Sequence, residues 1–293
     1  MKQMILISLI IAGIFFVGCD NPDWYCCHDH YYYYEEDYTP PPVPSGVYSI
    51  TGDRCVRLYW NPITCCDLAG YRIWRGYSET GYYYLIAETQ SASFTDWDVT
   101  NGCTYYYAVS SYDVWGNESD ISSELVFDTP RPEGFGERVY IVESYPDDAG
   151  YDFSCYCVVP YDDEYADVIF GYNEVTGSYY MEATGTDTDL LIYGPTSSIT
   201  DVDYAPETGW LSGGSVELYE GYSYLVWTWD NHFAQVRITC LCGDYIRFDW
   251  AYQTDEGNPE LRVGNDGNRF RVDGKNAIRI EHSIKITSIN EHK

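Results

Sequence analysis

The stretch that decides the fold is residues 54–76, R-C-V-R-L-Y-W-N-P-I-T-C-C-D-L-A-G-Y-R-I-W-R-G. Within it Val56, Leu58 and Trp60 fall on alternate positions, so a strand here presents all three to one side. After the break at Asn61-Pro62, Tyr71 and Ile73 repeat the alternation, and Tyr105, Tyr107 and Val109 do so again farther on. Short alternating strands at regular spacing, separated by turn residues, are the pattern of a β-sandwich. Composition agrees. Thirty-three tyrosines and nine tryptophans, with little helical periodicity, favour an all-β chain.

Six separated landmarks make residues 42 to about 128 resemble the fibronectin type III family. They are Pro44, the strand V-R-L-Y-W-N-P, the run D-L-A-G-Y-R-I-W-R-G, then S-F-T-D, N-G-C-T-Y-Y-Y-A-V-S-S-Y-D and G-N-E-S-D-I-S-S, all in the family's order. The resemblance implies an Ig-like β-sandwich over 42–130. In it Trp60 is the core tryptophan of the second strand and Tyr105 the corner tyrosine of the sixth. It also implies a binding or spacer module, although the adhesive RGD triplet is missing.

Upstream, Lys2 precedes an apolar run from Met4 to Gly18, which reads as a secretory signal over 1–18. About fifteen apolar residues are short of the ~20 needed to span a bilayer. The end of the run, Phe16-Val17-Gly18-Cys19, resembles a bacterial lipobox with Phe16 in place of the usual Leu. The resemblance implies that Cys19 is lipidated and that membrane lipid holds the chain at the bacterial cell envelope, at the outer membrane, the cell surface or the periplasmic side. Residues 19–41 form an acidic tether rich in Cys, His and Tyr. In it Cys26, Cys27, His28 and His30 offer ligands suited to zinc or copper. Cys65 and Cys66 lie in the loop after the second strand, at the same end of a fibronectin sandwich as its N-terminus, so disulfides between the two vicinal pairs are an alternative.

A second proline-rich stretch, residues 128–134 (D-T-P-R-P-E-G), reads as an interdomain linker. Beyond it, residues 135–263 form a second β-rich domain. Its clearest piece is a hairpin turning at Asp230-Asn231, followed by the strand D-Y-I-R-F-D-W-A-Y. The end of this domain is similar to the C-terminal hairpins of HmuY-like haem-binding lipoproteins of Gram-negative bacteria. That likeness supplies one candidate haem ligand, His232, and no second. Strand alternation puts Cys155 and Cys157 on the side of Phe153 and Val159, and Cys240 and Cys242 on that of Val236 and Ile238. Both C-x-C pairs are therefore expected to face the core. If their strands are neighbours, two cross-strand disulfides or a Cys₄ metal site fit, and an exported chain favours disulfides. The tail, 264–293, has Ile278, Ile280, Ile284 and Ile286 at alternating positions, as in added strands.

Sixteen basic residues against forty-six acidic ones give a net charge of −30, which removes nucleic acid from the expected partners. Asp162-Asp163-Glu164, Asp187-x-Asp189 and Asp201-x-Asp203 can offer oxygens to calcium, but none has the spacing of an EF-hand loop. With no G-x-S-x-G, H-E-x-x-H or phosphate-cradling loop, nothing points to an enzyme. The expectation is a lipid-anchored, non-enzymatic binding, adhesion or scaffolding protein with an unknown protein or glycan partner. The alternative is an envelope lipoprotein that captures haem or a metal ion.

Overall fold

A computed structural model of the chain describes residues 37–262, and its regular structure is almost entirely β. The first seven strands are β1 (Tyr48–Gly52), β2 (Cys55–Tyr59), β3 (Leu68–Gly76), β4 (Tyr83–Thr89), β5 (Ser93–Asp96), β6 (Tyr105–Asp113) and β7 (Val126–Asp128). They form a three-stranded sheet, β1-β2-β5, packed on a four-stranded one, β4-β3-β6-β7, with every pairing antiparallel. This is the strand order of a fibronectin type III sandwich. The alternating residues fill the space between the sheets: Val56, Leu58 and Trp60 from one side, Tyr71, Ile73, Tyr105, Tyr107 and Val109 from the other. Trp60 meets Tyr71 edge-on at 5.3 Å, and the Tyr71 hydroxyl accepts the Ile63 N–H, which fixes the connection between β2 and β3. The Tyr105 hydroxyl accepts the Thr100 N–H at 3.0 Å, the corner contact that the sequence implies. A buried ion pair crosses the core: Arg75 meets Asp96 at 2.8 Å, and Tyr107 donates to the same carboxylate at 3.0 Å.

The remaining strands build a second and larger sandwich. They are β8 (Glu133–Tyr140), β9 (Gly150–Asp152), β10 (Cys157–Val159), β11 (Val168–Asn173), β12 (Ser178–Ala183), β13 (Asp189–Pro195), β14 (Leu211–Ser212), β15 (Gly214–Glu217), β16 (Tyr222–Trp227), β17 (Phe233–Leu241) and β18 (Tyr245–Gln253). A five-stranded sheet, β10-β9-β11-β12-β15, faces a six-stranded one, β14-β13-β16-β17-β18-β8. Tyr151, Phe153, Phe170 and Met181 pack against Tyr224, Val236, Phe248 and Trp250 between them. The expected hairpin is β16–β17, and Asn231 in its turn takes a left-handed φ of 68°. Asn tolerates that conformation better than most residues.

The C-x-C stretches depart from the expectation. Cys155 bonds to Cys157 and Cys240 to Cys242, each pair closing on itself. Neither the cross-strand disulfides nor a Cys₄ centre forms. The alternation argument assumed a continuous strand through each motif, but residues 153–156 are the turn between β9 and β10, with Tyr156 at φ 59°. At the second motif the pairing slips between Ile238 and Cys240, and β17 ends at Leu241. The two motifs also belong to different sheets. Tyr156 stacks on Trp250 near the end of β18, whereas Cys242 donates its N–H to the Tyr245 carbonyl at the start of that strand.

The segment expected as a linker is instead among the most buried parts of the chain. Asp128, Thr129 and Arg131 are fully inaccessible to water, because residues 254–262 fold back over them. Thr129 donates its N–H and hydroxyl to the two carboxylate oxygens of Glu260, at 3.0 and 3.1 Å. The Arg131 N–H reaches the Gly52 carbonyl, its Nε donates to the Leu261 carbonyl, and its Nη1 lies 3.1 Å from Glu133. The Thr51 N–H, on the outer edge of β1, donates to the Arg262 carbonyl at 2.9 Å. Gly102 gives its N–H to the Pro130 carbonyl at φ 76°, where an added Cβ would stand 2.7 Å from the Thr254 hydroxyl. The same junction explains Cys55. It points away from the sandwich core, as the alternation predicts, yet is 1% exposed, because Glu133 and Asp128 of the junction lie close to it. Cys55 and Cys103 are both free thiols.

Two expected outcomes follow from these buried charges. Removing one partner of a buried ion pair costs about 3–5 kcal/mol, so Arg131→Ala should lower stability by that order in urea unfolding. A loss under ~1 kcal/mol would show that the junction contributes little. The second concerns Asp167, which is 3% exposed and accepts the Phe153 N–H at 2.9 Å. Burial, reinforced by the nearby Asp152 and Asp230 charges, pushes its carboxyl up to about 7, against about 4 in an unfolded chain. A raised folded value means that its stabilisation is present below pH ~4 and lost as pH climbs through ~7, on the order of 3–4 kcal/mol by linkage. Asp167→Asn, which keeps the acceptor for Phe153, should flatten that fall when melting temperature is followed from pH 4 to 8. An unchanged profile would place the titration elsewhere.

Candidate binding groove

Cys19, Cys26, Cys27, His28 and His30 lie outside the described residues, as do the signal segment and the tail from 264. Cys65 is half-buried and disulfide-bonded, and Cys66 is exposed, both in the loop between β2 and β3. Beside them Asp37, Asp67 and Asp113 bring carboxylate oxygens within 4.8 Å of one another. Asp113 already accepts from the backbone of Trp115 and Asn117 and from the Asn117 amide, all at 2.8 Å, so its carboxylate organises the turn after β6. Burial, with Asp113 and Asp37 close by, raises the Asp67 carboxyl.

His232 closes the β16–β17 hairpin. Its Nδ1 lies 3.0 Å from the Gln253 carbonyl, an acceptor, so the proton sits on Nδ1. Its Nε2 is 3.9 Å from Asp230. Asp201, considered for calcium, is occupied by its own loop: it accepts from the N–H groups of Ser197 and Ser198 and from the Ser197 hydroxyl, and these bonds hold its carboxyl below the usual range. Asp203 pairs with Arg262 at 3.1 Å.

The other two acidic clusters meet in one place. Asp162, Asp163 and Glu164 rim a groove on the second sandwich, and Asp187 lies along the same groove. Two adjoining depressions of about 420 and 630 Å³ share Glu164, Thr184, Gly185 and Thr186, which makes them continuous. Tyr165 and Trp229 flank one end, and Tyr161 and Glu182 stand toward the other. Trp229 is 59% exposed, Tyr165 56% and Tyr161 44%, unusual exposure for three large rings around one concavity.

These side chains stand on tightly bonded loops. Trp229 sits in the β16–β17 turn, where Thr228 and His232 exchange backbone and hydroxyl hydrogen bonds and Trp227 Nε1 donates to Asn231. Tyr165 follows an Asp turn in which its own N–H donates to the Asp163 carboxylate at 2.9 Å. Under the groove Thr184 gives its N–H to the Asp167 carbonyl and its hydroxyl to the Ala166 carbonyl. The result is a preorganised, mostly polar trough with exposed ring faces, carboxylates and threonine hydroxyls. It suits a ligand with an apolar face and many hydroxyl groups.

No family model matches the chain. Among curated proteins it is similar to amylopullulanase of Thermoanaerobacterium saccharolyticum, 37% identical over 109 residues, which is 36% of this chain and 8% of that enzyme. It is also similar to exoglucanase B of Cellulomonas fimi, 35% identical over 102 residues, 33% of this chain and 9% of the enzyme. The chain thus spans less than a tenth of the length of these relatives. Among solved structures, an Fn3-like protein from Clostridium thermocellum is 29% identical, covering 32% of this chain and 98% of its own, with a TM-score of 0.27. A DUF4466 family protein from Parabacteroides merdae is 10% identical and covers 69% and 93%, with a TM-score of 0.35. The strand order of the first sandwich, β1-β2-β5 on β4-β3-β6-β7, is that of a fibronectin type III β-sandwich.

Proposed function

We propose that the protein is a lipid-anchored, non-catalytic envelope protein that binds glycan chains in the groove of its second sandwich, with the fibronectin sandwich as the spacer toward the membrane. The observation that carries this reading is the trio Tyr161, Tyr165 and Trp229, exposed on two loops, β10–β11 and β16–β17, yet lining one trough edged by carboxylates and hydroxyls. A pyranose ring has an apolar C–H face that stacks on such rings, while its hydroxyls donate charge-assisted hydrogen bonds to carboxylate acceptors. The relatives' names, amylopullulanase and exoglucanase, denote enzymes of polysaccharide breakdown, and the shared segments are small parts of them. Anchoring rests on the lipobox-like residues before Cys19.

Titration of the protein against a panel of neutral oligosaccharides should find a binder whose affinity falls about tenfold, or ~1.4 kcal/mol, in Trp229→Ala, with the melting temperature unchanged. Absence of any neutral binder, or equal affinity in the variant, would remove the groove from the proposal. Membrane fractionation tests the anchor separately. Cys19→Ala should move the protein to the soluble fraction, and an unaltered distribution would rule out lipidation at that residue.

A further inference from the structure

At the other end of the six-stranded sheet, on its outer face, two arginines stand directly opposite each other. Arg247 of β18 pairs in register with Arg138 of β8, and Tyr245 with Tyr140. Like charges placed this way across antiparallel strands are destabilising. Five of the nine arginines in residues 37–262, Arg72, Arg75, Arg131, Arg237 and Arg262, lie against carboxylates. Arg138 and Arg247 are both exposed and lie against no carboxylate among the described residues, in a chain of net charge −30. An abundance of acids nearby in sequence has therefore not been used to neutralise them.

Tyrosines hold the pair. The Arg138 guanidinium sits 5.5 Å from the Tyr140 ring centre and 5.6 Å from that of Tyr245, and Arg247 lies 5.6 Å from Tyr245. Tyr145, from the turn after β8, packs on Tyr140 at 4.6 Å and is 49% exposed. Stacking offsets part of the repulsion, since exposed cation–π contacts contribute roughly 0.5–1 kcal/mol each. It leaves the donors unserved. Each guanidinium presents five N–H groups in a fork matched to a planar or tetrahedral oxyanion, and no side-chain hydrogen bond engages either fork among the described residues.

We propose that Arg138 and Arg247, with Tyr140, Tyr145 and Tyr245, form a subsite for an acidic sugar residue, whose carboxylate or sulfate the two guanidiniums bind while the tyrosines take the ring. Recognition of the oxyanion rests on the arginine pair alone. Its attachment to a sugar rests on the glycan reading of the groove. The net charge favours an isolated acidic ring in an otherwise neutral glycan over a nucleic acid, because a single charge meets the repulsion only locally, whereas a phosphodiester chain, charged at every unit, meets that of the whole molecule.

The test uses the full-length chain bearing Cys19→Ala, titrated with galacturonate oligomers, their methyl esters, sulfated and unsulfated oligosaccharides of one backbone, and a single-stranded DNA oligomer. The protein should bind the free-acid or the sulfated form at least tenfold more tightly than its uncharged counterpart, and whichever it prefers identifies the oxyanion. Arg138→Gln with Arg247→Gln should abolish that ratio without lowering the melting temperature, because the variant removes a repulsion. Arg138→Lys, which keeps the charge and loses the fork, should retain only part of it. Trp229→Ala should weaken the charged and uncharged forms alike and leave the ratio intact, so failure of the groove and failure of this subsite are distinguishable. A ratio near one in the unaltered arginine pair, a ratio that survives the double substitution, or tighter binding of DNA than of either acidic glycan would overturn the proposal.

Discussion

The contact on which the arrangement of the molecule depends is the one between Thr129 and Glu260. Both are buried, and the carboxylate takes two hydrogen bonds from one residue of the chain that joins the sandwiches. A charge so placed must be compensated. Around it Asn258 donates to the Thr129 hydroxyl, Gln253 to the Glu260 carbonyl, and Arg131 to the Leu261 carbonyl. Burial raises the carboxyl of Asp128 and lowers the affinity of Arg131 for its proton, opposite consequences of the same exclusion of water. The hydrogen bonds of Thr129, Arg131 and Glu260 form only when both sandwiches and the closing segment are present together, and Arg131 Nη2 and the Asp128 carboxylate are buried beside them without a hydrogen-bond partner among the described residues. The four-residue span between β7 and β8 therefore acts as a shared core.

Much of the first sandwich is legible in sequence, because its information is local and periodic. Val56, Leu58 and Trp60 can be placed from alternation alone, and Tyr105 from its setting after N-G-C-T. The hairpin at Asp230-Asn231 is equally plain, since a residue tolerant of positive φ marks it. The same rule fails at Cys155, where a turn replaces the assumed strand, and at Cys240, where a bulge shifts the register. Alternation gives the side of a strand only while the strand continues. Cys55 shows a different gap: parity correctly sends it outward, but what lies outward is a second domain.

The groove was legible only in fragments. Its acids, Asp162, Asp163, Glu164 and Asp187, were visible as clusters, yet nothing local separates them from solvated loops. Trp229 and Tyr165 are sixty-four positions apart and meet because β16–β17 and the loop before β11 converge at one end of the sandwich. A tryptophan beside Asp230-Asn231, at the tip of a tight hairpin, was the one available signal, since an apolar ring in a turn has no core to enter. The arginine pair is a tertiary feature in the same sense. Arg138 and Arg247 become neighbours only through the pairing of β8 with β18.

The self-closed C-x-C rings bear on how the chain reaches its native state. A cross-link spanning about 85 residues would restrict the unfolded chain by roughly 4.5 kcal/mol, whereas a ring of three residues does so by only about 1.6. The native sandwich accordingly owes little of its stability to these bonds. Their effect lies in pairing: sulfurs two positions apart meet without waiting for any long-range contact, whatever the rate of the oxidation that joins them. In a sequence with eleven cysteines, four of them need no distant partner, which shortens the list of wrong partners open to the rest.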